Sequence, residues 1–241
     1  GIFILVILLG FGQGMRNGIA NEFEQDASTS VWVWPGVTSK EFKGLNPGRR
    51  IQLRNEEYSN WTEQNTSRIV YNSARIFVRD VNITYGNEAL VYGVRGVHED
   101  FQFIENSRVS EGRFINYSDL VNTSKVIVIG NKIKKDVFGH LDSPIGESVD
   151  ISGIPFKIVG VFKEQREREE ETMYIPLTTA QRVFIGGDRI SNMSYTLPMA
   201  ESFDQAVAEG VVFMDELNEY LGQVHTEQPE DDSALELWSA L

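Results

Sequence analysis

Apolar positions along this chain change their spacing several times, and each change predicts a different element. Residues 2–9 are an unbroken apolar run, followed by Gly10-Phe11-Gly12. A membrane-spanning helix needs about 20 apolar residues, so this run is about half a span. A secretory signal would carry basic residues before the run and a small-residue cleavage site after it, and neither is visible. The run reads as the outer half of a membrane helix. A buried core strand is the alternative, but no polar position interrupts the run and no turn breaks it. Ile19 and Phe23, four apart in a polar stretch from Arg16 to Gln25, predict a short helix leaving the membrane. Ser30-Val31-Trp32-Val33-Trp34 predicts a strand stopped by Pro35-Gly36. Its two tryptophans share a face, which could be a ligand platform but reads better as core. A linker with Gly44 and Asn46-Pro47-Gly48 follows. Asn55 before Glu56-Glu57 then predicts a helix start, with acids at the positive end of the dipole and Tyr58 and Trp61 turned inward.

The middle of the chain follows a period of two. Val81, Ile83 and Tyr85 share one face, Gly86-Asn87 turns, and Leu90, Tyr92 and Val94 return, which predicts a long hairpin over 74–95. Lys125 to Gly130 holds the continuous apolar run Val126 to Ile129, short enough for a buried strand. A small helix follows with Ile133, Val137 and Phe138 inward and Gly139 as C-cap. Residues 148–151 and 156–162 flank a Ser152-Gly153 turn and predict a second hairpin. Thr178-Thr179-Ala180-Gln181 has the spacing of a capping box opening a short helix.

Residues 190–197 predict a strand ending before Pro198. Ser202-Phe203-Asp204-Gln205 is a second capping box. It opens the clearest helix of the chain, in which Phe203, Val207, Val211, Met214, Leu217 and Leu221 form an apolar stripe and Gly222 marks the end. At 1.5 Å per residue such a helix is roughly 30 Å long. Mixed elements thus flank a β-rich middle, an α+β pattern.

Composition narrows the function. With 241 residues, 41% hydrophobic and 24% charged, the chain is of globular type and long enough for one large or two small domains. The absence of cysteine excludes a disulfide framework, a thiolate metal site and a Cys nucleophile. The net charge of −13 is concentrated near the end: residues 201–241 hold eleven acids and no Lys or Arg. Phosphate backbones need basic clusters, so a nucleic-acid partner is not expected. A base-free stretch near a membrane suits the non-cytoplasmic side. His98, His140 and His225 are far apart and sit in no metal-binding spacing. There is no Gly-x-Ser-x-Gly elbow, and the dipeptide Gly-Lys of a phosphate loop does not occur. Gly10, Gly12 and Gly14 lack the strand–turn–helix setting of a dinucleotide site and read as close-packing positions. Asp231-Asp232 has no calcium-loop spacing. The charge run from Lys163 to Glu171 predicts a solvated loop rather than a partner contact. No catalytic residue, cofactor site or metal site is expected, and the chain is read as not an enzyme.

Ordered fragments through the middle resemble the periplasmic core domain of MacB/FtsX-type ABC transporter permeases. They are Val94-Arg95-Gly96-Val97 with Phe101; Glu111-Gly112-Arg113-Phe114; Val126 to Gly130 leading to Val137-Phe138-Gly139; Pro144-Ile145-Gly146-Glu147; Gly153 to Val161; and Tyr174-Ile175-Pro176-Leu177-Thr178-Thr179-Ala180-Gln181. Their order and spacing together carry the resemblance, which covers nearly the whole chain and is weakest at 36–75. It implies a membrane-helix end at 1–20 and a porter-like α/β subdomain from 21–95 with 188–228. A mainly-β subdomain at 96–187 would be inserted into it, and 229–241 would lead into a second membrane helix. It further implies a dimeric transporter of the bacterial inner membrane, its domain facing the periplasm. Partners would be an ABC ATPase domain or subunit, a second permease protomer and a periplasmic adaptor or chaperone. The implied role is mechanical: coupling of cytoplasmic ATP hydrolysis to extrusion or release of a periplasmic substrate. Lipoprotein release, control of a cell-wall hydrolase and a membrane-anchored sensor domain are the alternatives.

Overall fold

The computed structural model describes residues 30–36, 51–164, 167–225 and 235–240. The apolar run at 2–9, the helix expected at 16–25 and most of the linker after Gly36 lie outside the described residues. In chain order the first elements are β1 (Ser30–Pro35), α1 (Asn55–Gln64), β2 (Tyr71–Val78), β3 (Ile83–Tyr85), β4 (Glu88–Leu90), β5 (Gly93–Val97) and α2 (Phe101–Ile104). Next come β6 (Arg108–Gly112), α3 (Tyr117–Val121), β7 (Val126–Gly130), α4 (Asn131–Phe138), β8 (Ser148–Ile151) and β9 (Ile154–Lys163). The last are β10 (Thr172–Pro176), α5 (Leu177–Ala180), β11 (Asn192–Thr196), α6 (Phe203–Val224) and β12 (Leu235–Ala240). The fold is α+β. Among the described residues no helix is long and apolar enough to cross a membrane.

The chain divides into two compact units, 1–72 with 190–241, and 73–189. The boundary therefore falls at 72/73, not at the expected 95/96, and returns at 189/190 rather than 187/188. The reason is strand pairing. β2 runs antiparallel to β5, with Arg75 opposite Val97 and Val78 opposite Val94, and β5 runs parallel to β10. The hairpin at 74–95 thus takes its hydrogen bonds inside the second unit.

In the first unit β1 lies between β11 and β12, antiparallel to both. Val31 and Val33 are buried with Met193 and Tyr195 across the β1–β11 pair. Trp32 and Trp34, expected as core, point to the other face and are half-buried. Strand alternation allows only one of the two sets inward, and the valines take that side. Residues 235–240, expected to approach a membrane helix, pair in full register with β1, Trp32 opposite Trp238. α1 starts one residue earlier than expected: Arg54 is the N-cap, and its N–H donates to the Glu57 carboxylate. Tyr58 and Trp61 are buried, as their spacing predicts.

In the second unit the strand order is β2-β5-β10-β7-β9-β8-β3-β4, with β6 paired to the second half of β9. The hairpin expected over 74–95 is broken: β2 pairs with β5, while β3 and β4 form a short tip around Gly86 that attaches to β8. β7 is parallel to β9 and antiparallel to β10. Ile127, Val128 and Ile129 are fully buried, since both faces of this strand are covered. That is why its sequence shows no alternation. Ser152 (φ 52°) and Gly153 (φ 83°) make the two-residue turn between β8 and β9. Gly130 ends β7 and is the N-cap of α4. A Cβ there would lie 1.9 Å from the Glu170 carbonyl oxygen, so only glycine lets the two backbones meet.

Two cap assignments change. Gly139 is right-handed, φ −60°, and is not the left-handed cap expected after α4. The Thr178–Gln181 segment is not a capping box, because it lies inside the helical stretch and Pro176 is the N-cap of α5. The Thr178 and Thr179 hydroxyls instead donate to the carbonyls of Leu120 (2.6 Å) and Ser124 (2.9 Å). Gln181 opens a π-turn over Gln181–Ile185 and donates to the Arg189 carbonyl.

Candidate functional site

Two features rise above ordinary packing, one in each unit. In the first unit it is α6. Ser202 caps it, its hydroxyl accepting from the Gln205 N–H at 3.2 Å. The Gln205 side chain accepts from the Glu201 N–H, so the box is half formed. The helix continues through Gly222 to Val224, one turn further than that glycine suggests. With 22 residues it is about 33 Å long.

The buried face of α6 is Ala206, Gly210, Phe213, Leu217 and Leu221. Val207, Val211 and Met214, expected inward, are half-buried at its margin. The side chain of Phe203 lies outside the described part. Leu217 and Leu221 are inward as expected, and the first half of the stripe is turned because one large ring sets the orientation. Phe213 stands edge-on to Trp61, ring centres 5.5 Å apart, and 5.6 Å from Tyr195. Tyr220 closes the group at 5.4 Å from Trp61. At the helix end His225 Nε2 lies 3.5 Å from the Glu57 carboxylate, an ion pair whenever the imidazole is protonated. Arg68 pairs with Glu216 while lying over the Phe213 ring. This last pair is solvent-exposed and contributes at most about 1 kcal/mol. The aromatic packing therefore fixes α6.

In the second unit the feature is a charged seam. Arg75 is buried on β2, and Glu105 approaches it at 3.7 Å. Burial first and then Arg95 lower the Arg75 guanidinium to about 10, while Glu105 opposes. Burial also raises Glu105 against the pull of Arg75 and Arg95. Tyr174, on β10 opposite Arg95, is raised mainly by burial among the Phe101, Phe114 and Phe162 rings. Glu164 is held up at about 7, first by burial and then by Glu105, Glu169 and Glu170; the Ser107 hydroxyl, which donates to it, opposes. The run from Lys163 to Glu171 is thus not wholly solvated. Glu170 is buried, and its carboxylate accepts from the Glu164 N–H (3.1 Å) and from Asn131.

The three histidines do not converge. His98 accepts the Ala74 N–H at Nδ1 (3.0 Å), and burial lowers it to about 4. His140 is exposed, beside Tyr85 in the second unit, whereas His225 belongs to the first. Among the described residues no three His, Asp or Glu side chains form a group able to hold a metal. The charged seam was missed from sequence, although a signal exists. Arg75, Phe77 and Arg79 alternate with Ile76 and Val78, a cationic–aromatic face against an apolar one.

Comparison with known proteins follows the same outline. Macrolide export ATP-binding/permease protein MacB of Haemophilus ducreyi is 25% identical over 199 residues, covering 81% of this chain and 26% of that protein. The uncharacterized ABC transporter permease YvrN of Bacillus subtilis is 28% identical over 145 residues, 57% of this chain and 34% of the relative. The chain thus spans about a quarter to a third of the length of these curated relatives. Among solved structures, the periplasmic region of MacB from Actinobacillus actinomycetemcomitans superposes with a TM-score of 0.70 at 20% identity, covering 92% of this chain and 93% of that one. The extracellular domain of the transporter YknZ from Gram-positive bacteria gives 0.67 at 20% identity, covering 87% and 99%. These structures bear on the fold alone. The family profile matches residues 1–209, and the chain belongs to the MacB-like periplasmic core domain family.

Proposed function

We propose that this chain is the extracytoplasmic domain of an ABC transporter permease. In this reading it transmits the motion of cytoplasmic ATP hydrolysis to a substrate outside the membrane, which it extrudes or releases. The observation that carries the reading is the family match over residues 1–209. The apolar run at 2–9 then serves as the end of a membrane helix, and the first unit takes the porter-like role. The second unit is the insertion. The partners are an ABC ATPase domain or subunit and a second protomer, with a periplasmic adaptor or chaperone receiving the substrate. The MacB relative named above is a macrolide export protein, so a macrolide is the first substrate to try. The domain itself performs no catalysis in this reading.

α6 supports a mechanical role. A 22-residue helix held by Phe213, Leu217 and Leu221 moves as one body, because packed interiors transmit strain where loops absorb it. The test uses the full transporter with its ATPase in the native membrane. Val211→Pro, which interrupts the helix at a cost of about 3 kcal/mol, should leave ATP hydrolysis running while macrolide efflux is lost. Val211→Ala should keep efflux. Undiminished efflux by a correctly folded proline variant would remove α6 as the lever. Failure of the full-length protein to associate with any ATPase would remove the transporter reading in favour of a membrane-anchored sensor.

A further inference from the structure

Glu164, the residue after β9, is a half-buried carboxyl among other carboxyls. Among the described residues its side chain makes one hydrogen bond, accepted from the Ser107 hydroxyl just before β6. Three more carboxyls face it: Glu105 from the end of α2, and Glu169 and Glu170 from a 3-10 turn over Glu167–Glu170. Glu105 has Arg75 at 3.7 Å and also feels Arg95. Glu170 accepts from the Glu164 N–H at 3.1 Å and from Asn131. Tyr174 on β10 faces the same group and is kept neutral, mainly by burial. The nearby cations Arg108, Lys163 and Arg168 are exposed, and none forms an ion pair with Glu164 among the described residues.

A carboxyl in that position gains by keeping its proton. Neutral, it avoids repulsion from its neighbours, and its carbonyl oxygen still accepts from Ser107. Ionised, it meets both lost hydration and like charge. The corner it occupies joins several elements. Glu170 ties the end of β9, through the Glu164 N–H, to the first turn of α4, through Asn131. The Glu170 carbonyl oxygen also lies against Gly130. One step back along β9, Val161 and Phe162 are fully buried and fix the strand. The corner itself rests on part-buried hydrogen bonds. It is therefore able to open while the strand behind it stays in place.

We propose that Glu164 is a proton-operated catch: protonated, it fastens the end of β9 to Ser107 and to the Glu167–Glu170 turn, and ionised, it lets that corner open. The second unit then has two local states selected by protons alone, and the opening one frees the start of α4. Closing raises Glu164 from 4.5 to about 7. The closed corner is thus fully favoured below 4.5 and gives way as pH rises through 7. The inference does not rest on the transporter reading.

The test is amide hydrogen exchange in the 241-residue chain at pH 6, 7 and 8, corrected for the intrinsic pH dependence of exchange. Protection of the Glu164 amide, which donates to Glu170, should fall about tenfold from pH 6 to pH 8. The Ile158 amide, which donates to the Glu147 carbonyl in the interior of β9, should keep its protection. Glu164→Gln accepts from Ser107 but has no proton to lose, so its Glu164-position amide should be equally protected at all three pH values. Glu169→Gln removes an exposed neighbouring charge and serves if the first variant does not fold. Its fall should be smaller and should end at a lower pH than in the wild type. Constant protection of the Glu164 amide in the wild type would overturn the proposal. So would an equal fall at Ile158, which would make the opening global, or a wild-type fall in either variant.

Discussion

At the scale of single residues, two groups of the second unit titrate in one pH window with opposite signs. His98 is lowered from 6.5 to about 4 by burial, so the folded state resists its proton. Its contribution to stability is present above 6.5 and is lost as pH falls toward 4. Glu164 is raised from 4.5 to about 7, chiefly by burial. Its contribution is present below 4.5 and is lost as pH rises through 7. Between pH 4.5 and 6.5 the two slopes oppose each other. Glu164→Gln, which still accepts from the Ser107 hydroxyl, should leave a steeper loss of stability on acidification. His98→Asn places an amide oxygen near the position of Nδ1 and keeps the Ala74 N–H bonded. It should make the protein gain stability as pH falls across the same window. Urea-unfolding midpoints at several pH values test both, and variants that follow the wild-type curve would show that neither shift exists.

The long helix shows how elements can be right in kind and wrong in phase. The stripe of Phe203, Val207, Val211, Met214, Leu217 and Leu221 identifies a helix; Leu217 and Leu221 are buried as expected, yet in the first half the buried positions are Ala206, Gly210 and Phe213 instead of Val207, Val211 and Met214. Both stripes satisfy a 3.6 period. Over that half they differ by about one residue, or 100° of rotation, and hydrophobicity alone does not choose between them. The aromatic pocket of Trp61 and Tyr195 does, because only Phe213 fills it. Phe213→Ala should therefore cost about 3–5 kcal/mol. Val207→Ala, at the half-buried margin, should cost clearly less, about 1 kcal/mol or under. Chemical denaturation of the two variants decides the phase; equal losses would mean that the helix packs on the stripe read from sequence. The same distinction holds for β1, where the period of two is correct and the side facing the core is the other one.

For the molecule as a whole, the division at 72/73 and 189/190 makes the second unit an insertion into the first. The chain leaves the first unit beside the end of β11 and re-enters it just before β11 begins. The Val70 N–H donates to the Thr196 carbonyl at 2.8 Å, and the Ile190 N–H to the Leu53 carbonyl at 2.9 Å. We therefore expect residues 73–189 to unfold cooperatively as a separate polypeptide. Residues 1–72 joined to 190–241 through a short linker should do the same. Cutting instead at 95/96 should yield an unstable insertion, since it removes β2, the partner of β5. A fragment 96–187 as stable as 73–189 would contradict this division.

Local rules were legible along much of the chain. The buried strand at Val126–Gly130, the Ser152-Gly153 turn, the Ser202 cap and the inward Tyr58 and Trp61 follow from period, φ preference and capping chemistry, each acting within a few residues. Family membership was legible too, in the order and spacing of fragments such as Val126 to Gly130 and Tyr174 to Gln181. The rest depends on partners distant in sequence. Only the fold sets β12 beside β1, pairs β2 with β5, and turns Thr178 and Thr179 from caps into donors to Leu120 and Ser124. It also gathers three arginines at Phe77. Arg95 reaches that ring through a strand register, and a register depends on which strands pair, something no local window contains.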